Sequence, residues 1–167
     1  MPSVSGLSRT QRIRARDRVV QAAELALAHK ESMDYTQDLT LRWHGIAKDR
    51  RARKGEFPKH ADCSSFATWC LWNGLFVRFQ LDDIVNGLSW SAGNTTSMLG
   101  QGKRVRKQAR LVPGDCVHYG SGETAHVTVV VGQQNGEPMV ISFGSDDCPC
   151  FTNFDYRDDV REFRRYI

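Results

Sequence analysis

The chain has 167 residues, 40% of them apolar and 25% charged, and a net charge of +4. That size and apolar share suit a single domain with one core, and no run approaches the roughly 20 apolar residues that a bilayer crossing needs. Basic clusters at Arg9 to Arg18, Lys103 to Arg110 and Arg157 to Arg165 suit a solvated surface or an anionic partner. No aromatic-interleaved signature or zinc-finger spacing accompanies them, so nucleic acid is not expected.

Early arginines without a following apolar stretch do not make a secretory leader, so the chain is expected to be made in the cytoplasm with reduced thiols. From Ser8 to about Lys30, Ile13, Val20, Ala23 and Leu27 recur at near-helical spacing, with Val19 and Ala26 broadening the face, and predict an amphipathic helix. The segment from Ser32 to His60 is polar and broken by Gly and Pro, which predicts a long surface loop. Next, Cys63, Phe66, Ala67, Cys70, Leu71 and Gly74 form one stripe of a buried helix, with Asp62 as N-cap and Asn73-Gly74 as the stop. Leu81 to Leu88 reads as a short helix, and Asn94 opens another. Beyond Lys103 the pattern changes. Val117 and Tyr119, then HVTVVVG and PMVISFG, are β-rich runs parted by turn residues, and VREFRRYI adds a further strand. The expected fold is α+β, helices packed on a C-terminal antiparallel sheet.

Of the five cysteines, Cys63 alone sits where a helix begins, and there unpaired N–H groups favour a thiolate and offer donors to an oxyanion. Cys70 lies inside the stripe and Cys116 leads into a strand, so both read as packing. Cys148 and Cys150 flank Pro149 without a second ligand pair, so neither a metal nor another cofactor is expected. A thiol nucleophile needs an imidazole. His29, His44 and His60 fall in polar surroundings; His126 opens a strand that would hold its ring rigidly, and His118, on the neighbouring strand, is the rival.

Asp62-Cys63-Ser64-Ser65-Phe66, then Pro113-Gly114-Asp115 entering a strand, then His126-Val127 opening the next, resembles the NlpC/P60 superfamily of papain-like, CHAP-related cysteine peptidases. Tyr35-Thr36-Gln37, Arg42-Trp43-His44-Gly45-Ile46 and the run from Asp62 to Cys70 are similar to peptidase modules of actinobacteriophage endolysins. The resemblance spans 34–167, with 1–33 as a helical segment of the same domain. It implies an endopeptidase or amidase that cuts bacterial peptidoglycan through an acyl-enzyme on Cys63, as a monomer reaching the wall after release from the host cytoplasm. It also implies that Asp62 and Ser64 contact substrate and that Tyr35 stands beside the oxyanion.

One departure stands out. Where the family usually carries a polar residue that orients the catalytic histidine, this chain offers Phe143, which cannot accept an imidazole N–H. The role then falls to Ser142, Asp146, a backbone carbonyl or water, and Asp146 is favoured because a carboxylate also stabilises an imidazolium. The alternative is an inactive wall-binding or phage structural module of the same fold. A transferase or effector using the same dyad is a third option.

Overall fold

A computed structural model describes residues 3–46, 57–145 and 148–167 of the chain. Helix α1 (Arg9–Ala28) starts at Ser8, whose hydroxyl accepts from the Gln11 amide while the Gln11 side chain accepts from the Ser8 amide. Its buried face is Ala15, Val19, Ala22, Ala23 and Ala26, whereas Ile13 is half exposed. The helix is thus rotated from the face that Ile13 and Val20 suggested. The reason lies in its neighbour: alanines allow a close approach to helix α2 (Cys63–Phe79), where a side chain at Gly74 would meet the Ala15 carbonyl at 2.5 Å.

That contact also corrects the expected stop at Asn73-Gly74. Gly74 is a packing point inside the helix, which runs on to Phe79 and ends at Gln80 in the left-handed conformation (φ 56°). The 81–88 segment is not a helix. Asp83 accepts from the amides of Val85 and Asn86 at 2.8 and 2.9 Å, a local turn that competes with helical bonding. Asn94 does open a short helix, α3 (Thr95–Leu99), by accepting from Thr96 and Ser97.

The expected loop from Ser32 to His60 contains strand β1 (Asp34–Tyr35), which pairs in parallel with β2 (His60–Ala61), Tyr35 opposite Ala61. This two-residue ladder carries Tyr35 to the start of α2. The main sheet has six strands: β3 (Lys103–Val105), β4 (Cys116–Tyr119), β5 (His126–Gln134), β6 (Glu137–Ser142), β7 (Cys150–Asn153) and β8 (Val160–Arg165). Their order is β3-β8-β4-β5-β6-β7, and every neighbouring pair is antiparallel. The fold is therefore α+β, helices against an antiparallel sheet.

One face of the sheet packs Cys116, Val127, Val129, Ile141 and Phe143 against Phe66, Ala67, Cys70 and Leu71 of α2, with α1 in the same core. A smaller cluster of Val117, Tyr119, Val130, Val140 and Phe154 covers the other face. Part of the basic charge serves the fold: Asp115, fully buried, takes Arg16 at 3.2 Å and Arg165 at 2.6 Å and accepts from the Val112 amide at 3.0 Å. Those bonds fix the Pro113-Gly114-Asp115 turn that launches β4. No helix among the described residues is long and apolar enough to cross a membrane.

Candidate active site

Helix α2 begins at Cys63 because Asp62 caps it. One Asp62 oxygen accepts from the Ser65 amide at 2.7 Å and the Ser64 hydroxyl at 2.9 Å, and the Ser65 hydroxyl accepts from the Asp62 amide at 2.9 Å. The other Asp62 oxygen is paired with Arg42, whose second terminal nitrogen donates to the Gly93 carbonyl at 2.7 Å. Both members of this ion pair are buried. Asp62 and Ser64 border the cleft; the Asp62 oxygens are engaged by the cap and by Arg42, and the Ser64 hydroxyl donates its hydrogen to Asp62 while its oxygen can still accept.

Cys63, His126, Tyr35, Asp62 and Ser64 all line one open cleft of about 980 Å3, which runs between the start of α2, the loop around Gly122 to Ala125, and the end of β6. The backbone N–H groups of Val127, Ser64 and Cys63 itself face the Cys63 sulfur and favour its anionic form, that of Val127 most. The sulfur therefore faces the residue next to His126. No hydrogen bond joins the sulfur to the imidazole among the described residues, an arrangement that often tightens only when substrate enters.

The thiol is not ionised at rest. Burial, reinforced by the Asp62 charge, pushes it up to about 12, outweighing the three N–H donors at the helix start. The helix-start N–H groups favour the thiolate, as expected, but burial acts more strongly against it. His126 moves the other way, down to about 4, chiefly through burial and then through the Arg157 cation. Thiol and imidazole are thus both uncharged near neutrality.

The imidazole is oriented by Ser142. Its Nε2 lies 2.8 Å from the Ser142 hydroxyl, which in turn lies 3.1 Å from the Tyr156 hydroxyl. Strand alternation explains why Ser142 and not Phe143 does this. Ser142 pairs with Thr128, two residues along from His126, so on this side of the bulge after Val130 the even-numbered side chains of β5 and β6 share a face. Phe143 goes to the other face, fully buried, with its ring 5.2 Å from Phe66 and 6.3 Å from Tyr35. Asp146, favoured from sequence for the orienting role, lies outside the described residues.

Tyr35 accepts from the Gln37 side-chain amide at 3.0 Å, which leaves its own hydroxyl hydrogen for an acceptor in the cleft. Burial holds this hydroxyl above its ordinary pKa, so it stays a donor. The rival His118 does not border the cleft. It is buried, neither ring nitrogen has a partner among the described residues, and burial lowers it to about 3.

Tyr156 and Arg157 escaped the sequence reading. They follow β7 in a turn where Arg157 pairs with Asp159, donates to the Thr124 carbonyl at 3.0 Å and stands 5.5 Å over the Tyr119 ring. The segment DYRDD carries no periodicity, so nothing in it pointed to a cleft; only the fold brings it there. Cys150 also borders the cleft, opposite Ser142 in the β6–β7 register.

No family model matches the sequence, and no curated protein does. Among solved structures the chain is similar to NlpC2 and NlpC1 of Trichomonas vaginalis, each with a TM-score of 0.55 and 17% identity over 89% of this chain. It covers 47% and 44% of those chains, less than half of either. The likeness is one of fold, the NlpC/P60 type.

Proposed function

We propose that the chain is a cysteine peptidase or amidase of peptidoglycan, with Cys63 as nucleophile and His126 as general base. The observation that carries this reading is a cysteine at a capped helix start that lines the same cleft as a strand-borne imidazole, with the backbone of the next residue, Val127, acting on its sulfur. The fold shared with the NlpC proteins and the run from Asp62 to Cys70 support wall peptide as the substrate.

In this reading His126 Nδ1 takes the thiol proton as the sulfur attacks the amide carbon, because Nε2 is engaged by Ser142. In the same reading the Cys63 amide and the Tyr35 hydroxyl, both on this cleft, donate to the developing oxyanion. The imidazolium then protonates the leaving amine, and water attacks the thioester with the neutral imidazole as base. Because the dyad begins uncharged, the nucleophile is created at the moment of attack.

The endolysin resemblance supports a finer version, a phage enzyme made in the host cytoplasm that acts on the wall once released. Incubation with purified bacterial wall should generate new amine termini. Equal release by Cys63→Ala protein would end the reading.

A second reading, an inactive wall-binding module of the same fold, is favoured by the buried, protonated thiol. Binding of wall by the wild type without any release of amines would select it.

A further inference from the structure

We propose that Tyr156 is a positioning residue that sets the tautomer of His126 through Ser142, and that a substrate acceptor bonding to the Tyr156 hydroxyl drives the chain of hydrogen bonds into its productive direction. This rests on the reading of His126 as base.

The argument is one of hydrogen counting. Between His126 Nε2, Ser142 Oγ and Tyr156 Oη, at 2.8 and 3.1 Å, only two directions satisfy both bonds and also use the Ser142 hydrogen; Ser142 accepting from both neighbours would leave that hydrogen without an acceptor. In the first, Nε2–H donates to Ser142, Ser142 donates to Tyr156, and the tyrosine hydrogen points away from the chain. The imidazole then has a bare Nδ1 that can take the thiol proton. In the second, Tyr156 donates to Ser142 and Ser142 donates to Nε2, so Nδ1 carries the hydrogen and cannot act as base.

Ser142 is 3% exposed and has no other hydrogen-bond partner among the described residues, so its hydrogen must go to one end or the other. A carboxylate at this place would fix the direction, because it can only accept. Two hydroxyls leave it open. Tyr156 is the end that a ligand can reach, since it is 43% exposed and borders the cleft. The neighbouring Tyr119 does not compete, because its hydroxyl donates to the Phe154 carbonyl at 2.6 Å. Burial keeps the Tyr156 hydroxyl protonated, so a hydrogen is always present to be taken. The ligand feature required is an acceptor, a peptide carbonyl or a carboxylate, beside the scissile amide.

Nitrogen-15 NMR of histidine-labelled protein reads the tautomer without any turnover. Tyr156→Phe keeps the ring against Tyr119, but its ring has no hydroxyl oxygen to accept from Ser142. Ser142 then donates to Nε2, the spectrum shifts to the Nδ1–H form, and kcat on wall falls roughly tenfold with little change in KM. Ser142→Thr, which keeps a hydroxyl, should retain the wild-type tautomer, and solubilised wall peptide added to Cys63→Ala protein should enrich the Nε2–H form. An unchanged tautomer with full activity in folded Tyr156→Phe overturns the proposal. If no protein releases wall amines but the tautomer still shifts in Tyr156→Phe, the hydrolase reading fails while the control of His126 by Tyr156 stands.

Discussion

Arg42 and Asp62 form a buried ion pair whose acidic member is also the cap of the helix that starts at Cys63. Loss of the carboxylate therefore removes a cap and strands a guanidinium. Asp62→Ala should cost on the order of 4 kcal/mol in urea unfolding, since breaking a buried pair typically costs 3–5 kcal/mol. The double change Arg42→Met with Asp62→Asn should recover much of that loss, because no charge is left unpaired. A double variant no more stable than Asp62→Ala would show that the pair is not the source.

Thiol reactivity should follow the burial of Cys63. With the thiol pushed up to about 12, the thiolate fraction at pH 7 is far below that of a free cysteine, and alkylation by iodoacetamide should be slow and should rise with pH beyond 9. Rapid alkylation of Cys63 at pH 6 would mean that the resting site is an ion pair.

Acid should destabilise the fold through His126. Its pKa lies at about 4 in the folded chain against an ordinary 6.5, so between those values the unfolded chain binds the extra proton. Stability contributed by the neutral ring is complete above pH 6.5 and is lost as pH falls toward 4, by about 1.4 kcal/mol per unit. His118, lowered to about 3, acts in the same sense. Urea midpoints at pH 7 and pH 5 test this, and His126→Gln should flatten the dependence.

Phe143→His would place an imidazole where the family resemblance expects one, yet this position faces the core. The change should cost roughly 2–3 kcal/mol through an unsatisfied buried polar group and should leave Ser142 as the partner of His126. A gain in activity would show that the strand can turn that side chain toward the cleft.

Gly74→Ala should destabilise by roughly 1–2 kcal/mol despite the better helix propensity of alanine, because the added carbon meets the Ala15 carbonyl at 2.5 Å and Val19 at 2.7 Å. A thermal melt would record the loss.

Local chemistry made much of the fold legible. Asp62 and Asn94 are side chains that cap whatever follows them, and alternation in HVTVVVG marks a strand wherever it lies. What stayed hidden depends on partners distant in sequence. Gly74 looks like a stop until Ala15 is seen across from it, and Ile13 looks buried until the alanine face is seen to be the one that packs. Within the cleft, Cys63 and His126 were open to inference from their places on a helix start and a strand start. The choice of Ser142 over Phe143 needed only the parity of two paired strands, whereas Tyr156 needed the whole sheet.

Strand β8 lies between β3 and β4, so those two strands have no ladder linking them until Val160 to Arg165 have been synthesised. A nascent chain that has not yet delivered those residues leaves one edge of β4 open beside the helices, and the hydrolytic capacity proposed for this chain would wait for β8 to fill it.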